Sequence, residues 1–253
     1  MSTPKPTPLK LGILVPSSNT ALEPLTTSLL SSHPHITAHF SRFPVTEISL
    51  SPHALAQFSL VNGPIIAAAR LLADAHVDAI LWSGTSGGWL GFNVDENLCK
   101  AIQAATGIKA TTSTLALNRA LQKLGVSRLG LVTPYVDGVQ EAIVRRYESA
   151  GYAVVESHLG ISENWRIAEV GEERMERQMR EVVVGEDGEE KRVQAVTTFC
   201  TNLKAAHMAE KWEAEFGVPV LDTVATVLWD AFRLVGREED ARAIKGWGRM
   251  FQL

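Results

Sequence analysis

Ala79-Ile80-Leu81-Trp82-Ser83-Gly84-Thr85-Ser86-Gly87 and Val193-Gln194-Ala195-Val196-Thr197-Thr198-Phe199-Cys200-Thr201-Asn202 are the two stretches that decide the fold. In each, a short apolar run fit for a buried strand (Ala79 to Trp82, Val193 to Val196) breaks into small polar residues. A helix-like segment follows in both cases. A strand that gives way to Thr, Ser and Gly ahead of a helix turns several backbone N–H groups toward one point, which suits an anion. One loop carries a thiol, Cys200, at its turn, and the other carries Gly84. A helix starting directly behind Cys200 would lower the thiol pKa, an arrangement suited to proton exchange.

Outward from these loops the same plan continues. Leu11 to Pro16 is an apolar run closed by Ser17-Ser18-Asn19-Thr20, with a helical pattern from Leu22 to Leu30. Ile36 to Phe43 alternates as a second strand, and Ser51-Pro52 reads as an N-cap followed by proline at the first helical position. An alanine-rich helix, Ile65 to Ala75, leads into the strand ending at Trp82. Val94 to Thr106 is helical up to Gly107, Lys109 to Ser113 is a short strand, and Leu115 to Leu124 is a helix up to Gly125.

The second half repeats three landmarks in the same order and at nearly constant spacing. Leu129-Gly130-Leu131-Val132-Thr133-Pro134-Tyr135 matches Leu11-Gly12-Ile13-Leu14-Val15-Pro16-Ser17. The Cys200 loop matches the Gly84 loop, and Gly217 to Asp222 matches Gly107 to Thr112. This is the signature of a duplicated α/β unit. Strands alternating with helices imply parallel sheets, whose ligands sit beyond the C-terminal strand ends. The expected fold is therefore two pseudo-symmetric Rossmann-like half domains with parallel sheets and one active site between them. Residues 1–115 with 225–253 form the first half domain and 116–224 the second; the apolar helix Val224 to Val235 packs back on the first. The charged segment Glu172 to Arg192 reads as a solvated helix and an exposed loop around Gly185-Glu186-Asp187-Gly188.

The bulk composition removes several classes. Hydrophobic residues make up 45% and charged ones 21% of the 253, the balance of a globular chain with an ample core. A net charge of -4 with no basic run argues against a nucleic-acid partner. No apolar stretch approaches the ~20 residues of a membrane span, so no membrane partner is expected. The polar, proline-rich start from Met1 to Lys10 has no signal core, and a cytoplasmic location is the expectation. Two cysteines, Cys99 and Cys200, are too few for a disulfide framework. Cys99, between Leu98 and Ile102 in a helix, reads as core.

Val15-Pro16-Ser17-Ser18-Asn19-Thr20 with Glu23-Pro24, Gly84-Thr85-Ser86-Gly87, Thr133-Pro134-Tyr135 and Phe199-Cys200-Thr201 together resemble the maleate cis-trans isomerase branch of the Asp/Glu racemase superfamily. The likeness runs from about Leu11 to Trp229. It implies chemistry without a cofactor on a small carboxylic acid, usually with one cysteine from each half; no metal and a possible homo-oligomer are separate expectations. By position it makes Cys200 the catalytic thiol. Asn19 would bind a carboxylate, and Asn164 would be a second, less securely aligned carboxylate binder. Thr85, Ser86 and Tyr135 would donate hydrogen bonds to carboxylate or enediolate oxygens, and Thr201 joins this set beside the thiol. The first family cysteine is Gly84 here. That replacement resembles the arylmalonate decarboxylases, a sister group, which lack the Ser-Ser-Asn-Thr pattern kept at Ser17 to Thr20.

With one thiol, schemes needing an acid on each face lose a partner, whereas a decarboxylase needs only one. The preferred reading is decarboxylation of a substituted malonate through an enediolate, with Cys200 as the single proton donor and Gly84 leaving room for a substituent. The alternative is a maleate isomerase or racemase-type enzyme working with one cysteine, which amide side chains holding a second carboxylate would favour. A non-catalytic carboxylate-binding protein is a third class. Each residue also has a plain structural reading. Asn19 could cap the helix at Ala21, Thr85 and Ser86 could cap the helix behind them, and Tyr135 could be a buried ring. Trp82 and Trp89 could line an aryl pocket or lie in the core. Pairing Cys200 with His207 in a hydrolase fails on reach, since seven residues of helix span roughly 10 Å. His33, His35 and His39 have no metal-ligand spacing.

Overall fold

The computed structural model describes residues 7–56, 58, 63–184 and 192–253, so the loop around Gly185 lies outside the described residues. The first half runs β1 (Leu9–Pro16), α1 (Leu22–Leu30), β2 (Ile36–Phe43), α2 (Pro52–Ala56), α3 (Pro64–Asp74) and β3 (Ala79–Trp82). It closes with α4 (Gly87–Leu90), α5 (Phe92–Thr106), β4 (Ala110–Thr112) and α6 (Ser113–Leu124). The second half runs β5 (Arg128–Val132), α7 (Asp137–Ser149), β6 (Ala153–Ser157), α8 (Asn164–Ile167) and α9 (Glu172–Val183). After it come β7 (Ala195–Thr198), α10 (Ala209–Phe216), β8 (Val220–Asp222), α11 (Thr223–Leu234) and α12 (Glu238–Ala243).

Each half holds a four-stranded sheet in the order β2-β1-β3-β4 or β6-β5-β7-β8, and every neighbouring pair is parallel. Covered on both faces, the central strands are buried almost throughout, as all-parallel sheets require. The repeated Leu-Gly pair has a packing cause. A Cβ on Gly12 would stand 2.8 Å from Val77 Cγ2, and one on Gly130 would stand 2.6 Å from Val182 Cγ1. Only glycine at mid-strand lets the covering layer approach that closely.

Local chemistry sets the element ends. Ser51 Oγ accepts from Ala54 N at 3.2 Å, the cap read from Ser51-Pro52. The Thr112 hydroxyl caps α6 through Leu115 N, and the Asp222 carboxylate caps α11 through Val224 N, at equivalent places in the two halves. α9 buries Met175, Met179, Val182 and Val183 and turns its charged residues to solvent. α11 lies against α1, α6, β3 and β4 of the first half. Among the described residues no helix is long and apolar enough to cross a membrane. β7 runs two residues further than its apolar run suggests, because Thr197 Oγ1 donates to Leu221 O and Thr198 Oγ1 to Asp222 Oδ2 inside the sheet.

Candidate active site

β3 and β7 end in the same tight turn: Gly84 N donates to Trp82 O at 2.9 Å and Cys200 N to Thr198 O at 3.0 Å. The two loops therefore reach one cavity as pseudo-equivalents, each from its own sheet. The polar lining is Asn19, Thr85, Ser86, Tyr135, Asn164, Cys200 and Thr201, together with the Gly84 backbone. Pro16, Val45, Ile48, Phe58, Trp82 and Trp89 form an apolar wall. About 20 Å³ is left for water, room for about one molecule, so the cavity is nearly closed.

At its centre the Tyr135 phenol is hydrogen-bonded to Thr85 Oγ1 at 2.7 Å, across the two halves, and also to the Cys200 thiol. Trp89 packs edge-to-face on the Tyr135 ring at 5.3 Å. Tyr135 is thus a buried ring whose hydroxyl is committed to the site. Burial holds its pKa well above the ordinary value.

The Cys200 thiol departs from the expectation of a lowered pKa. No helix begins directly behind it: the next helical residue is Ala206, in a short 3-10 turn before α10. Burial pushes the thiol up to about 11, outweighing the hydrogen bonds from Tyr135 and from the backbone N–H groups of Asn202 and Leu203. The buried Asp222 carboxylate raises it further. At neutral pH the sulfur therefore holds its proton.

Asn19 does two jobs. Its Oδ1 accepts from Ala21 N and Leu22 N at 3.0 and 2.9 Å, opening α1, while its Nδ2 donates to Thr201 Oγ1 at 3.2 Å. The Thr201 hydroxyl donates in turn to Ser83 O, so it knits the Cys200 loop to the first half. Asn164 Nδ2 donates to Ser18 Oγ at 2.9 Å. Asn202 completes the seam, its amide donating to Asn164 O and its oxygen accepting from Thr20 N and Ala21 N. Each of Asn19 and Asn164 keeps one amide N–H beyond these bonds. Both line the cavity.

The side chains of Thr85 and Ser86 do not cap α4. Ser86 Oγ accepts from Trp82 Nε1 at 3.2 Å, which leaves its own hydrogen to donate into the cavity. The space expected beside Gly84 is filled: a Cβ there would stand 2.2 Å from the Trp82 ring. The indole, and not a void, takes the place of a side chain at residue 84.

Other candidates lie elsewhere. His207 pairs with Glu172 at 3.3 Å and has no bond to Cys200. Cys99 is half-buried on α5 with its thiol pushed up to about 12 by burial. His35 pairs with Asp240, and no group of three metal-ligating side chains occurs among the described residues. Val45, Ile48 and Phe58 reach the cavity from the connection between β2 and α3, and nothing in their spacing marks them as site residues. Glu47 bridges Glu163 in that connection, and Ile48 N donates to Ser162 O at 3.0 Å, holding it against the second half.

The profile of the Amdase family, arylmalonate decarboxylase, matches residues 11–251. The chain belongs to the arylmalonate decarboxylase family. It is 26% identical to a maleate isomerase of Nocardia farcinica over 96% of this chain and 95% of that protein. It is 28% identical to an arylmalonate decarboxylase of Bordetella bronchiseptica over 77% of this chain and 79% of that one. The fold matches a solved maleate cis-trans isomerase of Nocardia farcinica with a covalently bound succinylcysteine intermediate. The TM-score is 0.81 at 24% identity, covering 96% of this chain and 98% of that one. The relatives of this chain thus include both an isomerase and a decarboxylase, and the site has to discriminate between them.

Proposed function

We propose that the protein is a cofactor-independent lyase that decarboxylates a substituted malonate, with Cys200 as its one proton donor. The observation that carries this reading is a single thiol lining the cavity, with Gly84 at the equivalent turn of the other half. The carbon–carboxylate bond breaks to release carbon dioxide, and its electron pair spreads from the α-carbon into the remaining carboxylate as an enediolate. Hydroxyls of Thr85, Ser86 and Tyr135 donate to the enediolate oxygens, stabilisation that is strong in a water-poor cavity. The Cys200 thiol gives its proton to the α-carbon, and the thiolate regains one from water. The sum is a malonate plus a proton giving a monoacid plus carbon dioxide. A thiol pushed up to about 11 suits an acid that must start protonated and suits a thiolate nucleophile poorly.

One observation favours a second reading. Asn19 and Asn164 both line the cavity, and their amides would hold a second carboxylate comfortably. A maleate isomerase working with Cys200 alone would use them that way. Incubation with maleate, alkyl- and arylmalonates and aspartate in deuterated water separates the two by product mass. Carbon dioxide from a malonate is expected; fumarate from maleate without it would overturn the preferred reading. Cys200→Ser should abolish turnover and keep carboxylate affinity, whereas in a binding protein it would change neither.

A further inference from the structure

The space beside Gly84 is taken by a ring that has little freedom to leave it. A Cβ built on Gly84 would meet Cζ2, Cε2 and Cη2 of Trp82 at 2.2, 2.4 and 2.6 Å. That indole is anchored at both ends: Nε1 donates to Ser86 Oγ at 3.2 Å, and Phe43 packs on it at 5.0 Å between ring centroids. Its backbone is the last residue of β3, paired with Leu14 on one side and Thr112 on the other. Val45 and Ile48 reach the cavity from the connection between β2 and α3, and Trp82 is held beside Gly84 by β3.

We propose that Trp82 sets the size of the α-substituent that the site admits. Carbon atoms repel steeply inside about 3.5 Å, so an aryl ring and the indole cannot share the volume beside Gly84. Beside Gly84 a hydrogen or a short alkyl substituent meets less of the indole than an aryl group does. The reaction part of this inference rests on the decarboxylase reading, and the fit itself does not.

The test compares methylmalonate with phenylmalonate on the wild-type protein, Trp82→Ala and Trp82→Phe, each checked for a folded melting transition. The wild type should bind 2-methylsuccinate more tightly than 2-phenylsuccinate by at least about tenfold, a modest demand on a steric pocket, and its methylmalonate to phenylmalonate ratio of kcat/KM is the reference for the variants. Trp82→Ala should move that ratio toward phenylmalonate by a similar factor. Trp82→Phe should move it less, in the same direction, and it carries the test if the alanine variant does not fold. In parallel, calorimetric titration with 2-methylsuccinate and 2-phenylsuccinate reads the fit with diacids that have no malonate carboxyl to lose. A wild type that binds 2-phenylsuccinate more tightly than 2-methylsuccinate, or ratios indifferent to residue 82 in both assays, would overturn the assignment. If no malonate loses carbon dioxide while the succinates show the predicted reversal, the decarboxylase reading falls and the role of Trp82 stands.

Discussion

Tyr135→Phe removes one oxygen from the centre of the site and little else. The ring keeps its packing against Trp89 at 5.3 Å, and the backbone is unaltered. Two bonds vanish, the one to Thr85 Oγ1 at 2.7 Å and the one to the Cys200 thiol. If the phenol steadies the enediolate, losing it costs about 10²–10³ in kcat, or about 2.7–4 kcal/mol, with little change in KM. The second loss gives an independent signal. The Tyr135 hydrogen bond pulls the thiol pKa down, so without it the thiol rises above about 11. Alkylation of Cys200 by iodoacetamide, followed against pH in a Cys99→Ser background, should shift to more alkaline pH. Leaving the Thr85 hydroxyl without its partner also costs about 1–3 kcal/mol of stability. A purely structural tyrosine would show only that last effect. A kcat within about threefold of wild type, where a lost donor costs far more, would refute the reasoning. So would an alkylation profile that moves to lower pH.

Other expectations follow from single contacts. Cys200→Ser should lower malonate turnover by about 10²–10⁴, the usual worth of a positioned acid, while calorimetry finds substrate affinity retained. Gly84→Ala should destabilise by about 1–3 kcal/mol through overpacking against Trp82. In a Trp82→Ala background the same change should be nearly neutral, and equal penalties in both backgrounds would contradict the contact. Burial raises Asp95 to about 7 from 3.8 despite its bond from Thr112. A raised carboxyl contributes stability that is fully present below about pH 4 and lost as pH rises through about 7. Asp95→Asn should therefore gain in melting temperature relative to wild type as pH rises across that window, and a constant difference would count against it.

The duplicated plan is legible because its cause is local. Leu-Gly-Ile and Leu-Gly-Leu mark strands that need a bare mid-point, and the paired Thr/Ser-rich loops end strands that are buried end to end. β6 leaves far less trace: its side chains are half-buried or exposed, and Glu156 sits in it. The site is half readable. Thr85, Ser86, Tyr135, Cys200 and Asn19 are polar residues just beyond strand ends, where a sheet of this topology puts its ligands, whereas Asn164 opens α8. Val45, Ile48 and Phe58 are apolar residues in a connection without periodicity, and only the folded chain brings them over the cavity. The thiol pKa depends on whether a helix starts at Cys200 or at Ala206, which the Thr-Asn-Leu-Lys run does not reveal. Trp82 and Gly84 are both visible in the sequence, but the ring folding back over the glycine is a tertiary fact that turns an expected opening into a wall.

The central claim, one acid acting from one side, is tested most directly with 2-ethyl-2-methylmalonate in deuterated water. This substrate has no exchangeable α-hydrogen, and its product, 2-methylbutanoate, is chiral. The account predicts a single enantiomer carrying one deuteron at the α-carbon. A racemic product, or one without deuterium, would contradict it.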